Sequence, residues 1–434
     1  TFTCLVSGPS GDSVFARALV HPDRNNFAPR LSFAWNPMER IVLRGGFAIF
    51  YQVGDRIGSS AILQLNPPQF FETLDARTSI QPPLFLLRDG YPAPVPPTNI
   101  DPTRLDIRGR DMNERSPYSE QWSFGPQIQL WRDLSLEIAY VGQASHKVRK
   151  LRQLNQGIIV TPGVGPVRFP FGGAVREWGN LSDFLKTDGN TNYHSLQVNA
   201  RKRFSRGFTF NAAYTWGRAM GDTGDNLSGG SSASLTNPQN SHDLRADYGR
   251  LVFDQRHRFV INWLWELPLG TGKAYLSEGP IAKILGDWQL NGIVSSTSGV
   301  PIGIQASDRS NTFSPSPRAN CIGDPLPSGF RRSVDAFFDK SAFATPASFT
   351  FGNCASSSLS SWPHHIWDVS LFKKIRIDEE RRVEFRVEFF NLWNTTQFDN
   401  PNRDLRSGNF GKTLDVLDPE RDARVIQFGL KFYF

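Results

Sequence analysis

The last eleven residues, RVIQFGLKFYF from Arg424 to Phe434, decide how the rest of the chain is read. Ile426, Phe428, Leu430, Phe432 and Phe434 fall on one side of an extended backbone, and Gln427, Gly429, Lys431 and Tyr433 on the other. A period of two is the mark of a strand with one apolar and one polar face. An uncovered edge this apolar would pair with other chains. Either protein covers the strand, or its apolar face does not meet water.

The same alternation runs back through the chain, mostly in pairs. RLSFAW (30–35) precedes RIVLRGGFAIFY (40–51); QWSFGPQIQLW (121–131) turns at Arg132-Asp133 into LSLEIAYVG (134–142). YHSLQVNARKRF (193–204) turns into FTFNAAYTW (208–216), and HRFVINWLWEL (257–267) is followed by GDWQLNGIVSSTSG (286–299). IWDVSLFKKIRI (366–377) turns at DEE into RVEFRVEFFNLW (382–393), so the terminal strand makes about eleven. Connections within pairs are short, apart from 268–285. Those between pairs are long and polar, at about 53–117, 144–192, 218–255, 300–363 and 394–422. Loops this long are unusual in a compact domain, but transmembrane barrels combine short periplasmic turns with long extracellular loops.

Large aromatics mark both ends of the strands. Trp35, Trp131, Phe204 and Trp265 lie beside the short turns; Tyr51, Tyr140, Trp216 and Trp393 lie beside the long loops. Two aromatic levels around aliphatic centres match the interfacial girdles of an outer-membrane barrel. Phe208 to Trp216 also suits the roughly 9–11 residues that a tilted strand needs to cross. The expected fold is therefore all-β: an antiparallel transmembrane β-barrel region of about eleven strands. Residues 1–29 read as an extracellular loop fragment and 30–434 as a partial barrel in a bacterial outer membrane. On this reading Ile426, Phe428, Leu430, Phe432 and Phe434 face lipid.

Composition agrees without deciding the matter. Apolar residues are 39% of the chain, and no run approaches the roughly 18 residues of a membrane-spanning helix. The 34 Phe and 11 Trp, with 37 Gly and 30 Pro, suit strands joined by irregular loops. The net charge of +7 is spread over many strands rather than gathered on one basic face, so nucleic acid is not an expected partner. A soluble propeller would show a repeat of about 40–50 residues, and none is present.

With the strands laid out, several motifs take on a familiar order: NNFAPRLSFAW with LRGGFAIFY, SPYSEQWSFGPQ with LEIAYVG, NYHSLQVNARKRFSRGFTFNAAYTW, DLRADYGRLVFDQRHRFVINWLWELPLG, GDWQLNGIVSSTSGVP, and RVEFRVEFFNLWNTTQFDNPN. Together they resemble the C-terminal barrel of Oar-like TonB-dependent outer-membrane receptors, over nearly all of residues 25–434. These receptors are common in acidobacteria and carry a carboxypeptidase-regulatory-like domain at the N-terminus. The resemblance implies a barrel of about 22 strands, wide enough to need a plug, of which this chain would supply roughly the C-terminal half. It implies energised uptake of an unidentified ligand. The partners it implies are outer-membrane lipid, the TonB complex by way of an upstream plug region, and the barrel assembly machinery through the C-terminal strand. A passive pore, or a secretion or adhesion barrel, is the alternative; a soluble β protein is a third.

Candidate sites are few. Arg382, Glu384, Arg386 and Glu388 alternate with apolar residues, and Asp368, Lys374, Arg376 and Lys431 lie on neighbouring strands. They read as a lumen wall of cross-strand ion pairs, with a ligand or plug contact as the other reading. Cys321 and Cys354 share one long loop, where an oxidising envelope would bridge them and leave Cys4 over. Gly270 to Lys273 (GTGK) lacks the rest of a phosphate loop and reads as a turn. Asp188 to Asn192 (DGNTN) has oxygen ligands at calcium-loop spacing but lacks the glycine of the sharp turn, and reads as the end of an Asx-rich loop. His364-His365 has no ligand partner at metal spacing nearby. Neither an enzymatic activity nor a cofactor is expected.

Overall fold

The computed structural model describes residues 21–52, 88, 90, 106–172, 180–223, 237–270, 273–378, 380–418 and 422–434. Cys4, most of segment 53–105 and the middle of the GTGK stretch lie outside them. Eleven strands form the backbone of one sheet: β1 (Arg30–Met38), β2 (Ile41–Tyr51), β3 (Tyr118–Trp131), β4 (Leu134–Arg152), β5 (Asn180–Ser205), β6 (Phe208–Gly221), β7 (His257–Glu266), β8 (Trp288–Thr297), β9 (His364–Arg376), β10 (Arg382–Phe390) and β11 (Val425–Tyr433). Each pairs antiparallel with the next in sequence, in an up-and-down meander. Among the described residues, β1 pairs only with β2 and β11 only with β10, so the sheet is open along those two edges. Two short segments join it from the side: Asp106–Arg110 runs parallel to the start of β5, and Gly249–Arg250 pairs with the end of β6.

Directly opposed residues share a face, so register carries a face from strand to strand. Leu31 lies opposite Phe47 and Phe47 opposite Trp122; Phe124 faces Tyr140, which in turn lies opposite Leu196. The same face continues through Leu196–Trp216, Tyr214–Phe259, Trp265–Leu290, Leu290–Leu371, Leu371–Val387 and Val387–Phe428. One apolar face thus crosses all eleven strands. Its glycines seat aromatic neighbours: a Cβ on Gly142 would meet the Trp122 ring at 2.3 Å, and one on Gly292 the Trp263 ring at 2.2 Å. The face is not buried, for Phe428 and Leu430 are 69% and 73% exposed.

The short turns 39–40, 132–133, 206–207 and 377–381 gather at one end of the sheet. At the 132–133 turn, Asp133 accepts a hydrogen bond from Lys202 at 2.7 Å and another from Ser205, and these two pull its pKa down to about 2. The remaining connection at this end, between β7 and β8, carries a helix that the strand reading did not anticipate, α1 (Gly279–Leu285). Among the described residues no helix is long and apolar enough to cross a membrane.

Two expectations need correction at the other end. β4, β5 and β6 run well beyond the alternating stretches, and Thr191 of β5 is paired with both Ser145 and Gly221. Asp188 to Asn192 therefore lies inside a strand, not at the end of an Asx-rich loop, because polar strands past the apolar zone still find ladder partners on both sides. Segment 300–363 is not simply a long irregular loop either. It contains short pairings of 301–302 with 359–360 and 320–321 with 343–344. With residues 394–418 it closes around Ile302, Ile304, Phe337, Phe338 and Phe410, the buried apolar core among the described residues.

Candidate functional site

Two regions hold side chains that could serve recognition: the polar face of β9–β11 and the loop assembly above it. On the polar face Lys374 lies opposite Glu384, and Glu384 opposite Lys431, which sets one acid between two lysines. Arg386 pairs with the carboxylate of Glu384 and lies 4.7 Å over the Phe372 ring. Arg382 stacks 4.3 Å over Tyr433 and lies opposite Arg376. Asp368 accepts the backbone N–H of Asn391 at 2.9 Å, closing the loop-side end of β10. Glu388 lies opposite Ser370 and Gln427. All eight charges named from the sequence thus share one face, opposite to Ile426, Phe428, Leu430 and Phe432.

In the loop assembly, Arg318 and Asp247 form a pair at 3.3 Å with both side chains buried. Burial pushes the Asp247 carboxyl up, while the Arg318 guanidinium opposes that shift; burial likewise pushes Arg318 down, against the pull of Asp247. Arg318 also donates to the Ala246 carbonyl at 3.0 Å. Around the pair, side-chain amides serve as backbone braces. Gln156 donates to the Gln239 carbonyl at 2.8 Å and accepts from Ser241 N at 2.7 Å. Gln239 donates to the Gly352 carbonyl at 3.0 Å and accepts from Arg318 N at 2.9 Å. These bonds tie the connections after β4, β6 and β8 into one body. A disulfide joins Cys321 to Cys354, with Cα atoms 5.0 Å apart.

The His364-His365 pair opens β9. His365 meets Ser296 Oγ at 2.7 Å, and Gln397 clamps its backbone from both sides at 3.0 Å. Among the described residues no group of three or more His, Cys, Asp or Glu is placed to hold a metal ion. Lys273, the end of the GTGK stretch, reaches Glu266 at 2.8 Å. Sequence reasoning missed two features. One is the braced loop core, because its glutamines carry no periodic signal. The other is a set of imidazole–hydroxyl pairs on the apolar face near the loop end: Tyr140 with His194 at 2.7 Å and Tyr214 with His257 at 2.8 Å. The alternation already placed each tyrosine; its histidine partner lies on the neighbouring strand and becomes visible only with the register.

Residues 3–427 match the family described as outer membrane beta barrel domain. The chain belongs to that family, and its place is the bacterial outer membrane. A comparison with curated proteins finds no match. Among solved structures, the chain is similar to the outer membrane transporter YddB from Escherichia coli, at 10% identity and TM-score 0.47, over 94% of this chain and 40% of that one. It is similar to the ferric-catecholate import receptor Fiu from Escherichia coli K12 in its closed form, at 10% identity and TM-score 0.41, over 93% and 34% of the two chains. It is also similar to FpvA of P. aeruginosa in complex with a pyoverdine and iron, at 8% identity and TM-score 0.42, over 95% and 33%. The chain thus spans well under half the length of these proteins.

Proposed function

We propose that these eleven strands are part of the barrel wall of an Oar-like TonB-dependent receptor that imports a ligand across the outer membrane. The observation that carries the reading is the pair of faces held in register across the sheet, one apolar and exposed, the other largely polar and, on β9–β11, charged. In an outer-membrane barrel the apolar face meets lipid and the polar face lines the interior. Ile426, Phe428, Leu430, Phe432 and Phe434 then face lipid, and Asp368, Lys374, Arg376, Arg382, Glu384, Arg386, Glu388 and Lys431 face the lumen or a plug within it. By the same rule the short turns are periplasmic, and the loop assembly, with residues 1–29, is extracellular.

Energised import, an upstream plug, TonB and the barrel assembly machinery as reader of β11 rest on the sequence resemblance. The test is uptake in cells carrying the whole protein. Transport should stop when TonB is removed. Deleting the plug region should leave only a nonspecific leak. Specific uptake that persists without TonB would favour a passive pore instead.

A further inference from the structure

Within the connection between β7 and β8, α1 presents an unusual surface. Pro280 stands in its first turn, where a missing N–H costs nothing. Ala282 is 1% exposed, whereas Ile284 is 67% exposed, and Ile281 and Leu285 are exposed beside it. An isolated seven-residue helix is not stable in water, so something holds this one in place.

Three contacts do so. Lys373 of β9 donates from Nζ to the carbonyls of Ile284 and Gly286, at 2.7 and 2.8 Å, meeting the carbonyl end of the helix with a positive charge. Trp288 of β8 donates from Nε1 to the Ile284 carbonyl at 3.3 Å, and its ring lies 5.2 Å from Lys373 Nζ. Gly286 and Gly270 meet back to back: a Cβ on Gly286 would lie 2.4 Å from the Gly270 Cα, so no side chain fits there.

These contacts also say on which side of the sheet the helix sits. Lys373 lies opposite Trp288 and Phe385, and so belongs to the apolar face that runs on to Leu430. The carbonyl end of α1 is therefore pinned to the outer, apolar face, at the short-turn end. Strands added along β1 or β11 would extend the sheet from edges several strands away and would not cover it.

We propose that α1 is a membrane-surface anchor, with Ile281, Ile284 and Leu285 entering the phospholipid of the periplasmic leaflet at the boundary of headgroups and acyl chains. The inference rests on the reading of the apolar face as lipid-facing. Its occupant follows from where the helix is held: its carbonyl end is fixed to that face at the short-turn end, and an exposed apolar helix edge at a membrane boundary binds by the area it buries there. Lys373 would act as a strut, spending its charge on helix carbonyls and thereby placing a cation on the apolar face.

The experiment places a photocrosslinking amino acid at Ile284, and separately at Phe428, in the whole protein in its outer membrane. Adducts are then identified by mass. Phospholipid adducts at both positions are expected. A lipid adduct at Phe428 with a protein adduct, or none, at Ile284 would overturn the anchor and leave the lipid face standing. No lipid adduct at either position would remove the lipid-face reading and the anchor with it. In a Lys373→Met background, the lipid adduct at Ile284 should fall several-fold while that at Phe428 is unchanged. Undiminished labelling at Ile284 would overturn the role given to Lys373.

Discussion

The sheet and the loop assembly solve the problem of apolar surface in opposite ways. In the loops, Phe337, Phe338, Ile302 and Ile304 are sealed inside protein, with ring contacts such as Phe338–Phe410 at 5.0 Å. In the sheet, residues just as apolar stand on the outside, and the polar face holds the buried carboxylate, Glu384. A soluble β protein would have these two roles exchanged. The loop assembly is built as a small water-soluble unit, with a core, a disulfide and a buried ion pair. The sheet is built for a solvent that is itself apolar. The difference teaches that hydrophobic residues here report the medium around each region, not merely the presence of a core.

That contrast can be broken by substitution, and the largest effects belong in the loops. Phe338→Ala should cost the loop assembly about 3–5 kcal/mol through the cavity it leaves. Hydrogen exchange should then show lost protection over 300–363 with β10 and β11 unchanged; equal loss in both regions would mean that they are not separate units. Replacing Cys321 and Cys354 by Ser should cost the same unit about 3–4 kcal/mol in chain-entropy terms, since the bridge closes a separation of 33 residues. The measurement is the thermal midpoint of loop unfolding, with the sheet signal as internal reference.

Smaller effects belong to the sheet. Phe428→Arg should cost roughly 2–4 kcal/mol in a bilayer if the position lies near its centre, and Gln427→Arg far less, because neighbouring residues point to opposite faces. Refolding into lipid vesicles measures both; equal costs would contradict the two-faced account. The smallest effect lies in the turn before β4. The folded pKa of Asp133, about 2, is below its ordinary value of 3.8. Its contribution is therefore complete above about pH 4 and is lost as pH falls toward the folded value. A carboxyl titration followed by NMR should give a midpoint near 2, rising toward the ordinary value in Lys202→Met.

How much was legible follows from the same contrast. The strands from Arg30 to Phe434 could be read because a sheet between two media imposes period two on every segment. The connections between them followed from what interrupts that period. The eight charges of β9–β11 could be assigned to one face for the same reason. The loop core could not be read, because Phe337 and Phe338 are adjacent and Ile302 and Ile304 lie among prolines and glycines, with no long repeat to betray burial. The polar extensions of β4, β5 and β6 were hidden too: beyond the apolar zone, side-chain alternation no longer distinguishes strand from loop. α1 escaped notice because Gly279–Leu285 is too short for a helical period to show.

The central claim is that the exposed apolar face meets lipid, and β11 tests it most directly. In the whole protein in its outer membrane, single positions from 426 to 431 would carry a label read by a lipid-soluble quencher. Strong quenching at 426, 428 and 430 and weak quenching at 427, 429 and 431 is the predicted result. Equal quenching of the two sets, or quenching of neither, would contradict it.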